Sequence, residues 1–193
     1  MKTVFFDIDT QIDFLFPAGA LYVPGAECLL PTLAKLNRYA AEHSIPVVST
    51  MDAHTEDDPE FKDWPPHCIA GEQGQRKPAE LLLERRVVVP ADPADVRIDG
   101  AQQIIVEKRK LDLFSNPNLP RLLEELGADS YVVYGVVTEY CVACALRGLQ
   151  ATGKPVTLVT DAIRSINEEA AARVLAEFTS AGGRLLTAAE VIR

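Results

Sequence analysis

Residues 131–160 read YVVYGVVTEYCVACALRGLQATGKPVTLVT, and this stretch decides the fold. Tyr131 to Val136 is a strand-length apolar run, Glu139 to Ala151 has helical spacing and is closed by Gly153, and Val156 to Thr160 is a second strand-like run. Strand, helix and strand in that order predict a crossover between parallel neighbours, which buries both faces of a sheet. Working outward, the same alternation recurs. Val4 to Ile8 precedes a helical stripe of Leu29, Leu33, Leu36 and Ala40, and Val47 to Thr50, Ile104 to Glu107 and Arg184 to Thr187 supply further strands. Val87 to Val89 is an edge piece. Leu119 to Leu126, closed by Gly127, and Glu168 to Ala181, capped by Asn167 and closed by Gly182, read as helices. The expected fold is α/β: a single three-layer domain over residues 1–193, with a six-stranded, mostly parallel sheet and helices on both faces.

The chain has 193 residues, 48% of them apolar and 24% charged, a balance that excludes disorder and suits one core. With 28 acidic against 19 basic residues, the net charge of −9 repels phosphate backbones, so nucleic acid is not an expected partner. No apolar run reaches the roughly 18 residues of a membrane helix, and the opening MKTVFFDIDT is too acidic for a signal peptide. A cytoplasmic location is therefore expected. Cys28, Cys68, Cys141 and Cys144 are few for a disulfide scaffold of this length and read as free thiols.

Ligands of open parallel sheets bind beyond the carboxyl ends of the strands, and reactive side chains gather there. Asp9 ends the first strand, Asp52 and His54 follow the second, Lys108 follows the third, and Cys141 lies a few residues past the fourth. Any one such Asp is commonly a cap or turn former, but several facing one rim point to a site. Cys141 falls in the first turn of a helix, where free amides and the helix dipole are expected to lower a thiol's pKa and to receive an oxyanion. Cys144 completes a C-x-x-C, yet its position three residues on suits packing better than redox chemistry.

The long irregular stretch from Met51 to Lys77 holds two of the three histidines. Asp52, His54, Glu60 and His67 follow a D-x-H-x5-E-x6-H spacing that lets a loop wrap one divalent ion such as Zn, Mn or Fe. His43, at a helix end, reads as a surface or cap residue. Trp64, held in the loop by Pro65 and Pro66, suits either packing or stacking on a flat ligand.

These residues resemble the nicotinamidase and isochorismatase-like cysteine hydrolases along nearly the whole chain. DTQIDF from Asp9, VEKRKLDLFSNP around Lys108 and GVVTEYCV past Cys141 look like the family's three catalytic motifs, and Asp52, His54 and the WPPHC run from Trp64 resemble nicotinamidases in particular. The resemblance implies Asp9, Lys108 and Cys141 as catalytic residues, backbone amides of Val137 and Cys141 as an oxyanion hole after a cis Val136–Val137 bond, and Phe14 and Trp64 as pocket walls. It also implies one divalent metal, a small-molecule amide substrate and a thioester intermediate. A homo-oligomer is compatible with it. The position of Glu60 is histidine in many nicotinamidases, so metal preference does not carry over.

Three rival readings stand beside it. D-x-D-x-T in FFDIDT also opens haloacid-dehalogenase-type phosphatases, with Asp7 as nucleophile, although Asp161 lacks the second late carboxylate that their magnesium needs. A non-enzymatic binding module would leave the thiol, ammonium and carboxylate without a purpose. A sibling amidase for carbamoyl or ureido compounds shares the trio, and only the metal loop separates it from a nicotinamidase.

Overall fold

The computed structural model describes residues 2–193. One sheet contains seven strands: β1 Thr3–Ile8, β2 Val47–Asp52, β3 Arg86–Val89, β4 Gln103–Lys108, β5 Ser130–Val136, β6 Val156–Arg164 and β7 Arg184–Leu186. Their order is β3-β4-β2-β1-β5-β6-β7, and all pairings are parallel. The edge piece at Val87 to Val89 is thus a full seventh strand, paired residue for residue with β4. Its short length and half-exposed, β-branched pattern made it the weakest of the strand signals.

The helices are α1 Ile12–Leu15, α2 Leu30–Glu42, α3 Leu119–Leu126, α4 Ala143–Ala151, α5 Glu168–Ser180 and α6 Ala188–Val191. Local chemistry sets their ends. Gly127 closes α3 at φ 53°, and the Asn167 side chain accepts the Ala170 N–H to start α5. His43 caps the exposed end of α2, as its position implies.

The strands are apolar on both sides because both faces are covered. Val4, Phe6 and Ile8 join α3, α4 and α5 residues such as Leu122, Leu146 and Phe178 in one core, while Phe5, Val47 and Tyr134 join Leu33, Leu36 and Ala40 of α2 in the other. The chain builds outward from β1 through β2 and then returns to place β5 on the opposite side of β1. That reversal leaves a crevice beyond the carboxyl ends of β1 and β5. Among the described residues, no helix is long and apolar enough to cross a membrane.

Candidate active site

Asp9 is the first residue past β1, and its φ of 46° turns the chain sharply out of the sheet. Thr50 of β2 fixes it there: the Asp9 N–H donates to Thr50 Oγ1 at 3.0 Å, and the Thr50 hydroxyl donates to Asp9 Oδ1 at 2.5 Å. Asp9 Oδ2 is left for Lys108, whose Nζ lies 2.9 Å away. Lys108 ends β4, buried at 1% exposure, and also contacts Asp52 Oδ1 and approaches Cys141 Sγ at 3.6 Å. Burial alone would push the Lys108 pKa down. Asp52, Asp9 and Cys141 outweigh it and hold the ammonium well above its ordinary value.

Cys141 does not sit at the start of a plain α-helix. Residues 138–142 form a single π turn ahead of α4, in which the Val142 N–H reaches back five residues to the Val137 carbonyl at 3.2 Å. Tyr140 N–H shares that carbonyl at 3.1 Å, and the Cys141 N–H makes no hydrogen bond to it. The Val136–Val137 peptide is cis. Just before it, Gly135 has a φ of 121°, and a Cβ there would fall 2.1 Å from the Ile8 carbonyl oxygen, so only glycine lets β5 close on β1 at this point.

The expected lowering of the Cys141 thiol is corrected by this setting. Burial pushes it well above its ordinary value; Lys108 opposes the rise, while Asp9 and Asp52 add to it. Position in a first turn was the sequence signal, but enclosure at 6% exposure beside two carboxylates dominates.

Asp52, His54 and His67 come together as a buried group whose ligand atoms all lie within 4.8 Å of one another. Strand β2 delivers Asp52, and the segment after it pairs with the WPPHC run: His54 and Ile69 form an isolated parallel bridge, with the His54 N–H donating to the Cys68 carbonyl at 3.1 Å. His67 Nδ1 engages the Pro65 carbonyl at 2.8 Å, which leaves Nε2 as its free nitrogen. Burial lowers the His67 pKa and keeps the ring neutral. His54 is fully buried; Asp58 Oδ2 pairs with Nδ1 at 3.0 Å, while Nε2 has no hydrogen-bond partner and faces Asp52 Oδ2 at 4.0 Å. A buried carboxylate and two imidazoles, each with an unpartnered Nε2, fit a borderline divalent ion such as zinc. Burial also raises Asp52 to about 7, with Lys108 opposing and Asp9 adding to the rise.

Glu60 stands apart from that group. It sits on a 3-10 turn, Pro59–Lys62, and lines the same pocket, but its carboxylate is not among the clustered ligand atoms. Burial raises its pKa while His54 and Lys108 pull it down.

The pocket is partly open to solvent and is lined by Asp9, Phe14, Trp64, His67, Val137 and Cys141 together with Leu21, Leu111, Tyr140 and Ile166. Trp64 meets Tyr140 edge-on at 5.2 Å, and Phe14 lies 5.5 Å from the His67 ring. Trp64 therefore both packs and faces the cavity. The apolar residues Leu21, Leu111 and Ile166 come from separate loops and carried no motif. Gln11 also escaped notice: its amide clamps the Asp52 backbone, accepting the Asp52 N–H at 2.7 Å and donating to the Asp52 carbonyl at 2.9 Å. Its place in DTQIDF, two residues past Asp9, was the available signal.

Asp7, the nucleophile of the phosphatase reading, is fully buried and spent on structure. Thr10, Ser49 and Lys77 all bond its carboxylate, at 2.6, 2.9 and 3.2 Å, and it does not line the pocket. Cys144 is half-buried on α4 and also lies outside the pocket lining.

Known proteins place this architecture. The chain is 22% identical to the nicotinamidase of Escherichia coli over 95% of its own length and 93% of the relative's. The zinc complex of Pyrococcus horikoshii pyrazinamidase superposes with a TM-score of 0.80 at 26% identity, covering 97% of this chain and 99% of the other. An N-carbamoylsarcosine amidase from Thermoplasma acidophilum shares the fold, with a TM-score of 0.77 at 23% identity and 97% of each chain covered. The family profile described as Isochorismatase domain matches residues 3–190, and the chain belongs to that family of hydrolases.

Proposed function

We propose that the protein is a metal-containing cysteine amidohydrolase that converts nicotinamide to nicotinic acid and ammonia. The observation that carries this reading is one pocket with two chemically different ends. At one end Asp9 and Cys141 line it, with the Lys108 ammonium behind them against the thiol; at the other Asp52 and His67 line it and form a donor group with the buried His54, and the aromatic walls Phe14 and Trp64 lie along the same pocket.

In this reading Asp9 accepts the Cys141 proton while Lys108 favours negative charge on sulfur, and the sulfur adds to the carboxamide carbon. The raised thiol pKa suits such a step, because the proton leaves as the bond forms. The Val137 and Cys141 amides hold the tetrahedral oxyanion, a role supported by the Cys141 N–H making no hydrogen bond to the Val137 carbonyl that its neighbours share. Asp9 returns the proton to the departing ammonia, leaving a thioester that water cleaves to the acid. A divalent ion held by Asp52, His54 and His67, with Glu60 as a fourth candidate, would supply a Lewis-acidic grip on the pyridine nitrogen, directly or through water. Phe14 and Trp64 would flank the ring.

The second reading is a sibling amidase acting on a carbamoyl or ureido compound. The trio serves it equally, and a carbamoylsarcosine amidase has the same fold. Ammonia release from nicotinamide, pyrazinamide and N-carbamoylsarcosine by the metal-loaded protein separates the two. Turnover of the carbamoyl compound without turnover of nicotinamide overturns the first reading.

A further inference from the structure

From the contacts of its carboxylate we infer that Asp13, which does not line the site pocket, is the positioning residue that aims His54 and His67, a role that rests on the metal reading above. Asp13 lies in α1 at 9% exposure, and it spends both side-chain oxygens on backbone amides of different segments. Oδ2 accepts the Cys68 N–H at 2.7 Å, and Oδ1 accepts the Ala20 N–H at 2.9 Å. A third segment closes over the same carboxylate. The Asp13 N–H donates to the Gly74 carbonyl at 3.0 Å, and a Cβ on Gly74 would fall 2.2 Å from Asp13 Oδ2.

The Cys68 contact is the consequential one. Cys68 has a φ of 46°, a left-handed backbone that a non-glycine residue adopts only when held, and it directly follows His67. Its carbonyl receives the His54 N–H, so one anchored residue sets the backbone on which both imidazoles depend. Phe14, the neighbour of Asp13, then lies against the His67 ring. Asp13 touches neither the pocket nor the thiol, so its influence is expected at the donor group alone.

The test is Asp13→Asn, which keeps the size but turns an NH2 toward one of the two amides. Metal-free parent and variant are titrated with Zn2+ against a chromophoric chelator, at a temperature where both are folded by circular dichroism. Expected is about a ten- to hundredfold loss of Zn2+ affinity, the usual range for a residue that orients ligands. KM for nicotinamide should rise at limiting Zn2+ while kcat at saturating Zn2+ stays within about threefold, and Cys141 alkylation by iodoacetamide should stay within twofold. A variant with lower thermal stability but parental Zn2+ affinity overturns the positioning role. A parent that binds no Zn2+ overturns the metal reading and this inference with it, which a failure confined to the variant does not. Should Asp13→Asn not fold, Gly74→Ala crowds the carboxylate while leaving its charge, and the same loss of affinity is required of it.

Discussion

Asp52 and Lys108 are register partners on the last rungs of the parallel strands β2 and β4, and the Lys108 ammonium contacts Asp52 Oδ1. The other oxygen of Asp52 faces His54 Nε2 at 4.0 Å. One carboxylate thus joins the thiol end of the pocket to the donor end. Asp52→Asn should therefore damage both: Zn2+ affinity falls about tenfold or more through the lost ligand charge, and Cys141 alkylation changes as Lys108 loses a partner. Equilibrium titration and timed alkylation read the two effects separately, and an effect on only one would uncouple the ends.

Asp9→Asn and Asp7→Asn distinguish two carboxylates that lie two residues apart. Asp9→Asn should stop formation of an acyl adduct on Cys141, seen by mass spectrometry after rapid quenching with nicotinamide present. Asp7→Asn leaves the Lys77 ammonium buried without its charge partner, which typically costs about 3–5 kcal/mol. Urea unfolding measures that loss. Activity that survives Asp9→Asn, or phosphatase activity lost in Asp7→Asn, would reverse the assignment.

Cys141→Ala should abolish hydrolysis and keep the fold, because it deletes one sulfur that borders the pocket, at a modest cost in core packing. Cys144→Ala should leave turnover near parental and lower stability by about 1 kcal/mol at most. Equal loss of activity in the two variants would instead support a redox pair.

How much of this was legible follows from what each feature depends on. The α/β alternation was readable because strand and helix periods are local, and Asn167, Gly127 and Gly153 marked ends that the fold keeps. Asp9, Lys108 and Cys141 could be placed at one rim because parallel strands carry their carboxyl ends together. Distances set by other elements were not readable. Thr50 clamps Asp9 from a neighbouring strand, and Asp13 reaches 55 residues along the chain to Cys68. The π turn escaped because its one extra residue leaves the helical pattern almost unchanged. Burial of the thiol escaped with it, which is why a helix-start argument gave the wrong direction for its pKa.

That direction predicts a pH profile. A thiol raised by burial is protonated at neutral pH, so iodoacetamide should label exposed Cys28 well before Cys141, and Cys141 labelling should climb only as pH rises past the ordinary thiol range of about 8.5. Labelling of Cys141 that is already maximal at pH 7 would mean a preformed thiolate paired with Lys108 and would remove the role given to Asp9 as proton acceptor.

Metal removal tests the division of labour along the pocket. With the ion stripped, nicotinamide turnover at low substrate should collapse while Cys141 alkylation persists, if, as proposed, the donor group holds the ring end and the trio acts on the carboxamide. His54→Ala should reproduce this, since it removes a fully buried ring of the donor group whose Nε2 has no hydrogen-bond partner. Glu60→Gln is the finer probe. Its carboxylate lies outside the Asp52, His54 and His67 group yet borders the same cavity, so ligation by it requires the loop at 59–62 to bring it closer on loading. If it ligates, the amide, a weaker and uncharged donor, should lower Zn2+ affinity about tenfold with little effect on thermal stability of the metal-free protein. Unchanged affinity in Glu60→Gln would leave three protein ligands and an open position, the arrangement of a site that takes substrate or water as its fourth partner.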